Sequence, residues 1–305
     1  MIAAIDAAVE DTSASSEDSS ALFEELWSRR DALDRDLAVA AIVDPTTEEA
    51  TREILVDCLA GSEERVPLPA DMRKVLTDHG VDDETMARIV LSFEFSGPDD
   101  VALLTRLTSE DSVVGFDAMK VLARISPATA QKIAVAIMLR GSAESDLRLS
   151  AAFKTLVGTD YTDNPANRVS LVRQLTSFMD STASSEDLRD SALFALSDMQ
   201  SLDAIKALLG SKRADPGLVG GAIDENATVL LTSLNSTTDP ATLALVAEAM
   251  TLHPVCEFGD PLQAALQRVQ AVTPDRRSDL ANSVAAATDK IRTGCVPLNP
   301  RWTGR

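Results

Sequence analysis

The sequence predicts an all-α protein, an array of short helices packed as antiparallel pairs. Three observations lead there. Apolar residues recur at helical spacing along most of the chain, a small polar residue followed by proline repeatedly opens these runs, and short motifs return after 34 and 41 residues. The strand signal is weak, since aromatics make up only 4% of the 305 residues and no long period-2 alternation occurs.

Helices are expected at 19–30, 31–43, 47–60, 69–79, 83–95, 98–108, 111–125, 127–140, 145–158, 165–180, 185–199, 201–210, 216–234, 239–252, 261–272 and 274–293. The first carries Phe23, Leu26 and Trp27 on one stripe. The 47–60 run carries Ala50, Ile54, Leu55, Cys58 and Leu59. Val114, Ala118, Met119, Val121, Leu122 and Ile125 mark 111–125, and Leu188, Ala192, Leu193, Ala195, Leu196 and Met199 mark 185–199. These are i, i+3, i+4, i+7 sets, the apolar face of an amphipathic helix. A small polar residue stands before proline at Asp44-Pro45, Ser126-Pro127, Asn164-Pro165, Asp215-Pro216, Asp239-Pro240, Asp260-Pro261 and Thr273-Pro274, and most of these pairs open a run. The polar side chain accepts from free N–H groups, and proline tolerates the first turn because its missing N–H needs no partner there. Thr46 with Glu49 fits a capping box. Gly61, Gly80, Gly97, Gly141, Gly158, Gly210 and Gly294 close runs.

Internal similarity extends the pattern. Asp146-Leu147-Arg148-x-Ser150-Ala151-x-Phe153 returns as Asp187-Leu188-Arg189-x-Ser191-Ala192-x-Phe194, 41 residues on; Ala118-Met119-Lys120-x-Leu122 returns as Ala152-Phe153-Lys154-x-Leu156 after 34. A period of about 30–47 residues with two helices per unit marks an α-solenoid, in which each pair buries its apolar stripe only by stacking on the next. The expected organisation is a flexible acidic lead-in over 1–18, one helical repeat domain over 19–293 (less regular over 19–109) and a tail over 294–305.

Composition bounds the function. Hydrophobic residues make up 45% of the chain, and 48 acids against 28 bases give a net charge of −20 and a pI near 4.4. Disorder, a membrane span and collagen-like sequence are excluded by hydrophobicity, run length and the 13 glycines and 13 prolines. The charge opposes nucleic acid. Residues 1–100 hold 25 acids and 8 bases, 101–260 hold 20 and 13, and 261–305 hold 3 and 7. Such a field either serves solubility alone or steers a basic partner to the N-terminal end. Residues 1–10 lack a basic n-region, so they are no intact signal peptide. A cytoplasmic chain and an exported chain without its signal both fit.

Few residues carry chemistry. His79 and His253 are the only histidines, each at an expected helix end, where a capping role is expected. No zinc-type cluster, nucleophile elbow or phosphate loop occurs; Gly217, Gly220 and Gly221 read as a kink or a close helix contact. Asp82-Asp83-Glu84 reads as a helix start. Asp160, Asp163 and Asn164 read as an Asx-turn and N-cap, against a weaker Ca²⁺ alternative. The sequons at Asn226 and Asn235 are short enough to arise by chance. Cys58 is expected in the core. Cys256 and Cys295 each follow an expected helix with two helices between them; a disulfide closing that hairpin and two unpaired thiols are the alternatives. Trp302 and Arg301, in the tail, are either docked on the last helices or a partner or self-association anchor.

The stretch SEDLRDSALFALSDMQSLDAIKALLG, residues 185–210, resembles a HEAT-type repeat, with an acid and Arg near the start of its first helix, Ala and Leu on the inner side, and a second helix after a tight turn. Residues 144–180 and 110–140 resemble it more loosely. The resemblance implies a HEAT/armadillo-like α-solenoid wound as a right-handed superhelix, with one helix of each pair lining a concave surface. Families of this kind are mostly protein-binding scaffolds. The expected function is therefore a non-enzymatic scaffold without cofactor or metal, binding a protein partner on its concave face. The alternative is an acidic antagonist or chaperone, of immunity type, for a basic protein, and an enzyme or enzyme subunit comes third.

Overall fold

A computed structural model describes residues 35–60, 66–211, 216–273 and 277–298. These form sixteen α-helices and no strand; two isolated parallel bridges join Pro67 to Glu94 and Val255 to Val296. The helix expected at 19–30, and Trp27 with it, lies outside the described residues. Contacts group the chain into two compact units, divided in sequence between Thr159 and Asp160.

The first unit contains α1 (Arg35–Val43), α2 (Glu49–Ala60), α3 (Ala70–Asp78), α4 (Asp83–Ser92), α5 (Pro98–Leu107), α6 (Val113–Ile125), α7 (Pro127–Arg140) and α8 (Asp146–Val157). Each helix packs on the next in the chain or on the next but one: α2 on α4, α4 on α6, α6 on α8, with α5 against α6 and α7 against α6 and α8. The second unit contains α9 (Pro165–Asp180), α10 (Glu186–Asp198), α11 (Leu202–Gly210), α12 (Pro216–Glu225), α13 (Ala227–Ser236), α14 (Pro240–Leu252), α15 (Gly259–Val272) and α16 (Arg277–Gly294). There α10 packs on α12, α12 on α14 and α14 on α16, while α9 lies against α10 and α11 and α13 against α14 and α15.

Caps explain most helix starts. The side chains of Asp82, Ser145, Ser185 and Ser201 accept from the N–H three residues on; ahead of their prolines, Asn164 accepts from the N–H two residues on and Asp239 from those two and three residues on. Asp44-Pro45 behaves differently. Asp44 Oδ1 accepts both the N–H and the hydroxyl of Thr46, at 2.8 and 2.7 Å, and α2 begins only at Glu49. Thr46 thus belongs to a turn and not to the expected capping box. The helix expected over 216–234 is also divided. Asn226 separates α12 from α13 with φ −97° and ψ 7°, and its fully buried Nδ2 donates to the carbonyls of Ala222 and of Ser197 on α10. The bend lets one amide tie α10 to the α12–α13 junction. Its burial also closes the first sequon to modification.

A repeated register emerges on the even-numbered helices. Met86-Ala87-Arg88-Ile89-Val90 on α4 reads buried, buried, exposed, buried, buried. The same order holds for Ala118–Leu122 on α6, Ala152–Leu156 on α8, Ala192–Leu196 on α10, Val219–Ile223 on α12 and Val246–Met250 on α14. Each helix is gripped on its flanks and back, leaving one narrow strip to solvent. The exposed centres are Arg88, Lys120, Lys154, Phe194, Gly221 and Glu248.

This register corrects the 41-residue alignment. Phe153 is fully buried, whereas Phe194, its match in sequence, is 50% exposed. The cap sets the phase: Ser145 stands directly before Asp146-Leu147-Arg148, but Glu186 intervenes between Ser185 and Asp187-Leu188-Arg189. One residue turns the motif by about 100° about the helix axis, so Lys154 and Phe194 are the equivalent pair, 40 positions apart.

Candidate functional site

The structure places the expected site residues unevenly. Cys256 lies in a 3-10 turn after α14 and Cys295 directly follows α16; their sulfurs are bonded at 2.10 Å with the Cα atoms 5.1 Å apart. The bond closes the α15–α16 hairpin. It is continued by main-chain pairing, Cys256 N–H to Val296 O and Val296 N–H to Pro254 O, both 3.0 Å, and the Leu298 N–H donates to the Glu257 carboxylate. Arg301 and Trp302 lie outside the described residues. Cys58 is half-buried.

Both histidines end helices. His79 caps α3 in the left-handed conformation (φ 52°, ψ 49°), its N–H bonded to Val75 O and its Nε2 3.4 Å from Glu110. Burial raises the Glu110 carboxyl, against the opposing pull of His79. His253 follows α14, its Nε2 2.9 Å from Asp224 on α12. A Cβ at Gly220 would lie 2.9 Å from its Nδ1, so glycine is what admits the ring against α12. The close contact expected of the glycine group thus falls at Gly220, whereas Gly221 meets open space.

The acidic clusters are structural in the same way. Burial works to raise the Asp82 carboxyl, but hydrogen bonds from the Thr85 N–H and hydroxyl and from Arg52 outweigh it and hold the group low. Glu49, Asp82 and Glu84 bring one oxygen each within 4.8 Å of one another, with Asp82 already committed to its cap and to Arg52. Asp160 and Asp163 lie in a short 3-10 turn, and Asn164 caps α9 by accepting from Ala166 N–H at 2.9 Å.

The exposed strips hold the remaining chemistry. On α4, Arg88 pairs with Asp57 of α2. Lys120 and Lys154 make no ion pair among the described residues. Between α6 and α8 lies a cleft of about 400 Å³ lined by Phe116, Lys120, Ala123, Arg124, Ala151, Lys154, Thr155 and Gly158. Lys154 Nζ stands 4.9 Å from the Phe116 ring centroid, within cation–π range. Asp117 lies beside the cleft; burial raises its carboxyl, while Lys120 and Lys154 draw it down. Sequence reasoning missed this group because charge was summed over 101–260 as one block. A narrower window finds it: residues 113–159 hold six bases and three acids, a cationic island in a chain of net charge −20.

Together these features define, among the described residues, an all-α array of helices with a repeating surface register and a cleft lined by Lys120, Arg124 and Lys154. No protein-family model matches the chain, and no curated protein does. Among solved structures, the crystal structure of an engineered protein from the Northeast Structural Genomics Consortium aligns with 88% of this chain and 100% of that one, at 18% identity and a TM-score of 0.27. Similarity at that level transfers neither fold nor function.

Proposed function

We propose that the chain is a non-catalytic helical-repeat scaffold, a HEAT-like α-solenoid, that binds a protein partner through the exposed strips of its even-numbered helices. One observation carries this reading: the buried–buried–exposed–buried–buried register returns on α4, α6, α8, α10, α12 and α14. Within each unit, a repeat that cannot bury its apolar face alone presents the same surface position at successive layers, and such rows suit extended partners. The test is capture from native lysate on the immobilised full chain, eluted in salt steps. It is repeated with Lys154→Glu, with Phe194→Ser joined to Glu248→Lys, and with Leu139→Ser on α7 as the control. One protein held by the wild type and the control but lost from a strip variant supports the reading; equal capture by all four rejects it.

The second reading, an acidic antagonist of a basic protein, rests on the 25 acids and 8 bases of the first hundred residues. Asp57, Asp71, Asp82 and Asp100 among them are held in ion pairs by Arg88, Arg35, Arg52 and Arg73, which leaves less acid for a partner. Release of a single basic protein at moderate salt favours this reading over the first.

A further inference from the structure

We propose that the exposed strips of α10, α12 and α14 form a docking surface for a cationic segment of a partner protein, a run of lysine or arginine around one apolar side chain. The proposal rests on the scaffold reading and names the chemistry of its partner. All three helices belong to the second unit. Their strip centres, Phe194, Gly221 and Glu248, follow one another at intervals of 27 residues. Two cross-helix contacts set these centres at one level. Asn226 Nδ2 donates to Ser197 O at 2.8 Å, and His253 Nε2 lies 2.9 Å from Asp224, so residues 29 apart stand opposite each other on both pairs of helices. The strip interval departs from that by two residues, about 3 Å along the axis and less than one turn.

Gly221 opens the middle of the row. A Cβ there would meet no atom within 4 Å, so a gap lies between the two exposed side chains. Leu218 and Leu245, each one turn before a strip centre, are half-buried and give the gap apolar edges. Phe194, 50% exposed, walls it on α10. An apolar side chain entering here buries against the ring and displaces nothing.

Charge selects the rest of the segment. Asp187 and Asp190 lie on the face of α10 that carries Phe194, seven and four residues before it, and Glu248 ends the row on α14. None of the three makes an ion pair among the described residues. Asp224 and Glu225 are engaged by His253 and by the Ser197 hydroxyl and are not counted. Residues 216–252 contain no lysine or arginine. Arg189, the one base of α10, lines a depression with Asp190 and with Met179 of α9. The row thus offers carboxylates with no cation on α12 or α14 to answer them, whereas Asp57, Asp71, Asp82 and Asp100 of the first unit each hold an arginine. A cationic segment complements such a row; an acidic one is repelled by it.

The experiment is calorimetric titration of the full chain with end-blocked peptides: lysines around a central leucine, the same with serine for the leucine, and the same with glutamates for the lysines. The leucine peptide is expected to saturate one site with a Kd of about 100 µM or tighter at low ionic strength and to weaken as salt is raised. The serine peptide should bind about tenfold more weakly, and the glutamate peptide should not bind. Phe194→Ser should weaken the leucine peptide to the level of the serine peptide, and Gly221→Met, which fills the gap, should do the same. Glu248→Gln should weaken both lysine peptides about threefold. Leu139→Ser on α7 and Glu84→Gln on α4 should change neither. Circular dichroism confirms that each variant is folded. The proposal is overturned if the leucine peptide does not saturate, if the serine peptide binds as tightly, if Phe194→Ser and Gly221→Met bind like the wild type, or if Glu84→Gln costs as much as Glu248→Gln. A dimer of the chain that Phe194→Ser dissociates would make a second copy the occupant and also overturns it. Absence of peptide binding, with a lysate protein still lost from Lys154→Glu, overturns this proposal and leaves the scaffold reading standing.

Discussion

Asp239 shows how much one side chain does at the residue scale. Its carboxylate accepts from Ala241 N–H at 3.1 Å, from Thr242 N–H at 3.0 Å and from the Thr242 hydroxyl at 2.8 Å. The Thr242 hydroxyl, then the Ala241 N–H, hold its carboxyl below the ordinary carboxylate value. Asp239→Ala should therefore cost about 1 kcal/mol in urea unfolding at neutral pH. A depressed folded-state pKa contributes stability above the unfolded value of about 3.9 and loses it as pH falls through the lower folded value. The difference between wild type and variant should accordingly close as the solution is acidified below that range. Asp100 is a second case, 3% exposed, paired with Arg73 of α3 and accepting from Ser96 N–H at 2.6 Å. Asp100→Ala should cost about 2 kcal/mol, since it strands a backbone donor and removes the Arg73 ion pair between α3 and α5.

At the element scale the decisive quantity is helix phase. Phe153→Ala, in the core, should destabilise by about 3–5 kcal/mol, whereas Phe194→Ala, on an exposed strip, should change urea-unfolding stability by no more than about 0.5 kcal/mol. Equal costs would restore the 41-residue alignment. The disulfide acts on the α15–α16 hairpin in a comparable way. It spans 39 residues, and closing such a loop restricts the unfolded chain by about 4 kcal/mol in the entropic account. Reduction, or the Cys256→Ser and Cys295→Ser pair, should lower hydrogen-exchange protection in α14–α16 and leave α2–α8 unchanged.

For the whole molecule, charge and repetition read differently from the chain and from the fold. Sequence periodicity placed nearly every helix, because the apolar stripe, the cap and the proline are local features that need no partner. The two helix assignments that failed, the Thr46 cap and the unbroken 216–234 run, turned on Asp44 folding back two residues and on Asn226 reaching Ser197 across to α10. Half of the candidate cleft was legible: Lys120 and Lys154 belonged to the recognised 34-residue repeat, but a block-wise charge sum hid the island around them.

What the chain determines by itself is an all-α array with its element order and most of its helix boundaries, since hydrogen bonding and amphipathicity act within a few residues. Tertiary structure alone decided which exposed residues share a strip and that Phe194 faces solvent while Phe153 does not. It also closed Cys256 onto Cys295 and brought Lys120, Arg124 and Lys154 around one cleft. The physical reason is that a one-residue offset from the cap rotates a whole helix face, and only packing against neighbouring helices shows which face is buried.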